Sequence, residues 1–126
     1  MANIDIDNLA AEITLAVKEY TEDVAEAIER EAEQTSQRLV KEIRAKSPRR
    51  TGEYAKGWAR KKQGRDGEIR YVIYNRKKPW LAHLLEFGHA KRGGGRVAER
   101  PHIRPPADKE IEAFQNRVRA IIRNGG

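Results

Sequence analysis

Apolar residues recur along the first third of the chain at Leu9, Ile13, Val17, Tyr20, Val24, Ile28, Ala32, Leu39 and Ile43, in steps that place them on one face of a helix. No Pro or Gly interrupts the stretch, its first turns carry Asp and Glu and its last carry Lys and Arg, which suits the helix macrodipole. The pattern predicts one long helix over residues 7–45, with its weakest point at Thr35-Ser36. About 38 residues at roughly 1.5 Å each span nearly 60 Å, against a radius of gyration of about 14 Å for a compact chain of this length. An unbroken helix would overhang its own domain, so it either folds back at Thr35-Ser36 or has its stripe covered by other subunits.

Ser47-Pro48-Arg49-Arg50-Thr51-Gly52 ends that helix, because Pro48 disfavours helical geometry in Ser47 and Gly52 supplies turn freedom. Residues 54–75 read as a β-hairpin, Tyr54 to Lys62 and Glu68 to Asn75, with Ile69, Tyr71 and Ile73 on one face and Val72 and Tyr74 on the other. Pro79 suits the first position of a short helix over 79–87 that Gly88 terminates. Residues 88–100, with Gly93-Gly94-Gly95 among charges, read as a flexible basic loop. A final amphipathic helix over 106–123 carries Ile111, Phe114, Val118 and Ile121 on its apolar face. The order implies an α+β fold and a single domain over 1–126.

The chain has 126 residues, 36% of them charged and 38% hydrophobic, so its core is modest and support from a partner or from copies of itself is expected. The absence of Cys removes disulfides, thiolate nucleophiles and sulfur-ligated metal sites. No apolar run approaches the roughly 18 residues of a membrane span, and the acidic start, Met1 to Asp7, is unlike a signal peptide; a protein made and used without export is expected. The net charge of +7 hides a split: residues 1–34 hold ten acids and two bases, net −8, and residues 35–126 hold nine acids and 24 bases, net +15. Between Arg44 and Arg104 there are 18 bases and five acids. Two readings stay open: this segment faces nucleic acid, or the acidic third of one copy packs against the basic part of another.

The candidate chemistry is thin. His83 and Glu86, at i and i+3, could share a helix face and begin a metal site with His89, but Gly88 breaks the helix before His89. A Glu among apolar neighbours more often accepts hydrogen bonds from a backbone turn or a nearby Arg. His102, between Pro101 and Ile103, reads as a packing residue. A toxin-like ribonuclease built on His83 has cations but no paired base or carboxylates. Lys91-Arg92-Gly93-Gly94-Gly95-Arg96 lacks the Lys-Ser/Thr of a phosphate loop. Trp58, Tyr71 and Tyr74 could stack bases, or more simply form the core face of a small sheet.

Three blocks in order carry a resemblance. Ser47-Pro48-Arg49-Arg50-Thr51-Gly52-Glu53-Tyr54 is similar to a Pro-x-x-Thr-Gly turn after a long helix, Trp80-Leu81-Ala82-His83-Leu84-Leu85-Glu86-Phe87-Gly88-His89 to a Leu-Glu-Phe-Gly signature, and Arg100-Pro101-His102-Ile103-Arg104-Pro105-Pro106-Ala107 to a Pro-rich block before a last helix. Together they resemble the tail-component or neck proteins of long-tailed bacteriophages, related to the minor tail protein Z of phage lambda. The resemblance implies a structural protein of the virion head–tail junction, made in the host cytoplasm. It would act by oligomeric assembly, as a ring, and not by catalysis, with neighbouring head-completion and tail proteins as partners, DNA close by, no cofactor and no membrane. The motif residues Pro48, Thr51, Gly52, Leu85, Glu86, Phe87, Gly88, Pro101, Pro105 and Ala107 would be structural. Glu86 would cap or pair within the corner, and Phe87 with Trp80 would anchor the short helix. Arg49, Arg50, Lys91, Arg92, Arg96 and Arg100 would touch DNA or other subunits. The alternative remains a basic nucleic-acid-binding module, or, less favoured, the ribonuclease.

Overall fold

The first element is a strand and not the start of a helix. The computed structural model describes residues 9–49 and 52–126, and within them β1 (Leu9–Ala16) precedes α1 (Glu22–Lys46). Ala11 and Ile13 are buried while Glu12 and Thr14, each one residue on, are exposed, the two-residue alternation of a sheet with one dry face. Tyr20 donates its amide to the Val17 carbonyl at 3.1 Å to form the turn. Thr21 then caps α1, its hydroxyl accepting from the Val24 amide at 3.3 Å, with Glu22 and Asp23 in the first turn.

The helix therefore begins some fifteen residues later than the predicted start at residue 7. At 25 residues it is about 37 Å long and lies against the chain's own sheet and last helix. It does not break at Thr35-Ser36: both are fully buried, and the Ser36 hydroxyl is absorbed by the Glu33 carbonyl at 2.7 Å. The overhang that would have required covering subunits is absent from α1.

Three further elements follow: α2 (Glu53–Lys56), β2 (Trp58–Gln63) and β3 (Glu68–Asn75). The sheet order is β1-β3-β2, antiparallel throughout. Tyr54 to Lys56, predicted as the start of the hairpin, is instead the helical turn α2, entered through Gly52 at φ 81°. Its geometry is fixed because Asn75 donates to the Tyr54 carbonyl at 2.7 Å. The rest of the hairpin matches: Ile69, Tyr71 and Ile73 are buried. Val72 is buried too, flanked across the two ladders by Glu12 and Lys61.

The chain continues through α3 (Pro79–Phe87), a short ribbon β4 (His89–Ala90) and β5 (Arg96–Val97), and α4 (Arg104–Asn124). The segment 88–100, expected to be a flexible loop, thus carries a two-stranded ribbon, with Lys91 donating its amide to the Gly95 carbonyl at 3.0 Å. The last helix starts at Arg104, two residues before the expected 106. Pro105 and Pro106 are tolerated because first-turn amides have no intrahelical acceptor in any case.

The core lies where α1 and α4 cover one side of the sheet. One cluster joins Ile13, Ile28, Ala32, Ile69, Tyr71, Phe114 and Val118. A second joins Leu39, Ile43, Tyr54, Trp58, Ile73, Ile103 and Ala107, with Leu81, Ala82 and Leu85 of α3 packed against it. Trp58 and Tyr71 are core residues, as the simpler reading had it, and Tyr74 is half-buried.

Candidate functional site

The second cluster is also where the three sequence blocks meet. Asn75, at the end of β3, accepts the amides of Lys77 and Lys78 on its side-chain oxygen, at 3.1 and 2.9 Å. That turn hands the chain to α3, whose Leu81, Ala82 and Leu85 face inward. Glu86, the next inward residue, is 1% exposed.

Glu86 has found the electropositive start of α4, where helix amides lack intrahelical acceptors. Its carboxylate accepts the backbone amides of His102 at 2.8 Å, Ile103 at 2.9 Å and Arg104 at 2.9 Å, and the Arg104 Nε at 3.1 Å. Burial works against the charge, but the amides of His102, Arg104 and Ile103, with the Arg104 guanidinium, outweigh it and hold the Glu86 carboxyl below the usual carboxylate range. A side chain from α3 thus supplies the N-terminal cap that α4 lacks from its own residues.

His102 continues the network. Its Nδ1 lies 2.7 Å from the Arg100 carbonyl, which can only accept, so that nitrogen carries the proton. Its Nε2 lies 2.8 Å from the Tyr54 hydroxyl. Burial, with the nearby charge of Glu86, pushes the Tyr54 hydroxyl pKa up. The rings of Tyr54, Trp58 and His102 meet edge to face at 5.4 to 6.1 Å. Trp58 donates its indole N–H to the Ser47 hydroxyl at 2.7 Å, and Ser47 donates to the Ile43 carbonyl at 2.6 Å. The end of α1, the α2 turn, α3 and the start of α4 are pinned together by one buried polar and aromatic chain.

Gly88 makes the turn that lets this happen. Its φ of 72° and ψ of 176° belong to a region essentially open only to glycine, and a Cβ there would strike the Val97 carbonyl and the Glu99 amide. Twelve residues on, past the β4–β5 ribbon, Arg100 returns its amide to the Leu85 carbonyl at 2.8 Å.

The motif residues fall into groups. Glu86, Gly88 and Ala107 are buried in the corner, Pro48 and Leu85 are half-buried beside it, and Pro101 and Pro105 are exposed. Gly52 opens the α2 turn, while Thr51 and Arg50 lie outside the described residues. One expectation is overturned: Phe87 and Trp80 do not anchor α3, since they are 42% and 63% exposed. They sit on the outer face of a helix whose inner face is already filled by Leu81, Ala82, Leu85 and Glu86. Phe87 rests between the His83 ring, at 4.9 Å, and the Arg104 guanidinium, at 4.5 Å.

Among the cations, Lys91 and Arg92 are exposed at the ribbon, Arg96 donates to the Phe87 carbonyl at 3.1 Å, and Arg49 donates to the Arg44 carbonyl at 3.2 Å. Arg100 shares a shallow groove with Pro48, Gly52 and Lys78. His83 is exposed while Glu86 points inward, so the i, i+3 pair does not converge. Among the described residues no group of three His, Cys, Asp or Glu side chains could hold a metal ion, and no helix is long and apolar enough to cross a membrane. Ser47, Asn75 and His102 were not in the expected site. Ser47 and Asn75 each sit just before or after a predicted element end, the one place where the sequence marks a residue that ties a turn.

Glu86 and His102, buried titratable groups of the corner, join elements of the fold. The class is that of bacteriophage tail components: the chain belongs to the HK97-gp10-like family, described as "Bacteriophage HK97-gp10, putative tail-component", which it matches over residues 11–88. That span runs from β1 to the glycine that ends α3. No curated protein and no solved structure matches the chain.

Proposed function

We propose that this chain is a neck or tail-completion protein of the head–tail junction, kin to the minor tail protein Z of phage lambda, that works as a single domain by oligomeric assembly and not by catalysis. The observation that carries the reading is the match over residues 11–88, joined to a corner in which Glu86 spends its charge on backbone amides. Its working form is a ring docked between head-completion and tail proteins, with Lys91, Arg92, Arg96, Arg49, Arg50 and Arg100 turned toward a subunit or toward the DNA that passes through. The motif residues of the corner hold the protomer in the shape the ring needs.

The test is loss of the gene from its phage, with the lysate viewed by negative-stain electron microscopy. DNA-filled heads and separate tails are expected in place of joined particles, with rescue from a plasmid copy. Normal numbers of complete, infectious particles without the protein would overturn the reading. Duplex binding by the purified protein, lost steeply as salt rises, would favour the nucleic-acid-binding alternative if the particles are also normal.

A further inference from the structure

α3 is apolar on both sides. Leu81, Ala82 and Leu85 are used inside, yet Trp80, Leu84 and Phe87, with His83, form a second stripe at i, i+3, i+4 and i+7 on the outer face. A helix apolar all round is ordinarily covered all round. Trp80, Phe87 and Ile122 are the large apolar side chains that stand exposed among the described residues. Two of them make this ridge. The third lies on the rim of a groove of about 470 Å³ between β1 and α4, lined by Ile13, Leu15, Ile111, Phe114, Val118 and Ile122.

The ridge sits among bases and the β1–α1 wall of the groove among acids, while the α4 wall carries Arg119, with Arg123 next to Ile122. From Arg76 to Arg104 there are eight bases and two acids, and one of the acids, Glu86, is committed to the α4 amides. From Glu12 to Glu26 there are five acids and one base, Lys18. Glu12 lines the groove but is engaged by Arg70 at 2.7 Å, so the acids left for a neighbour are those around the lining residue Tyr20, Glu19 and Glu22 among them. Arg119 also lines it, holding Asn116 at 2.8 Å. The two surfaces are distinct but adjoin at one edge: Phe87 and His83 lie beside Leu9 and Ala10, and Glu12 and Ile13, a few residues along β1, line the groove. They diverge along α4. Arg104 covers Phe87 at the start of α4, whereas Val118 lines the groove fourteen residues on, about 21 Å along the helix.

We propose that the Trp80–Phe87 ridge of one copy seats in the β1/α4 groove of the next, a head-to-tail contact between copies of this chain. This rests on the assembly reading above and gives it an interface. Two different complementary surfaces on one chain produce a closed ring when the rotation per copy divides the circle. A contact between two ridges would instead set like charges against each other.

The chain has no Cys, so introduced thiols report without background. Trp80→Cys and Ile122→Cys, both at exposed positions, are treated with a short bis-maleimide as full-length protein, singly, mixed and as the double variant. Each alone is expected to stay a monomer on a denaturing gel, the mixture to give a dimer, and the double variant a ladder. In parallel, Trp80→Ala and Ile122→Glu are expected to weaken self-association, read by light scattering, at least tenfold with unchanged circular dichroism. A Trp80→Cys dimer formed alone, or unchanged association in both variants, overturns the interface. A chain that is monomeric and unlinked at millimolar concentration, and unlinked within particles, overturns it as well. The gene-loss experiment decides the structural role separately, since that phenotype stands or falls whatever these cross-links show.

Discussion

Replacing Glu86 tests whether the corner rests on backbone capping or on an ion pair. Glu86→Ala leaves the amides of His102, Ile103 and Arg104 without their acceptor. A buried amide left unpaired costs about 1–3 kcal/mol. Because the three share one cavity that water can partly refill, we expect a total of roughly 3–5 kcal/mol, the range for breaking a buried charged network. Glu86→Gln keeps one accepting oxygen but aims an NH2 group at donors, so about 2 kcal/mol is expected. Arg104→Ala removes only a guanidinium that is 48% exposed, for about 1 kcal/mol or less. Urea unfolding followed by circular dichroism reads all three. The pH dependence is an independent arm. A carboxyl whose pKa is lowered in the fold contributes stability that is complete above its unfolded value, near 4.5, and is lost as pH falls through the depressed folded value. The gap between the native chain and Glu86→Gln is therefore constant from neutral pH down to about 5 and shrinks below that. A Glu86→Ala loss under about 1 kcal/mol, a larger loss in Arg104→Ala, or a gap that widens on acidification would refute the capping argument.

Gly88→Ala forces a Cβ into the Val97 carbonyl at a backbone geometry made for glycine; a loss of about 2–4 kcal/mol is expected in the same urea assay. Ser47→Ala strands the buried Trp58 indole N–H, for about 1–2 kcal/mol, and the Trp58 side-chain proton resonance should become exchange-labile. Tyr54→Phe leaves His102 Nε2 without its partner and is expected to cost about 1–2 kcal/mol, with the effect halved or better when His102→Phe is made alongside, as a double-mutant cycle would show.

The misread strand shows where periodicity fails. Leu9, Ile13 and Val17 are four apart, and a step of four fits both the helical repeat and the two-residue alternation of a strand. Ala11 and Leu15 complete the alternation, and β-branched Ile13, Thr14 and Val17 favour it. The true boundary was marked by Thr21-Glu22-Asp23, a capping residue followed by first-turn acids; no Gly or Pro stands in the turn before it. The corner was legible in part for a similar reason. That Glu86 accepts hydrogen bonds from a turn and an Arg follows from a Glu set among apolar residues. Its actual partners sit sixteen to eighteen positions on, and only the packing of α3 against α4 brings them within reach. From the resemblance, Trp80 and Phe87 are expected to anchor α3. Their place was taken by Leu81, Ala82 and Leu85, which the helical repeat puts on the opposite face.

The charge split also changes meaning once the chain is folded. Glu12 pairs with Arg70, Glu29 with Lys62, Glu31 with Arg117 and Glu33 with Arg60, so four of the ten acids in the first 34 residues meet bases of the same chain. Packing of the acidic third against a neighbour's basic part cannot use these. Such exposed pairs contribute little each, about 0–1 kcal/mol, and their service is to fix which face of α1 and β1 meets the sheet. Glu19, Glu22, Asp23 and Glu26 have no ion pair among the described residues, and they cluster where β1 turns into α1. What is left for a partner is therefore local: an acidic end beside the groove, and a basic end around the aromatic ridge. The proposed head-to-tail contact draws on that placement and not on the total of +7.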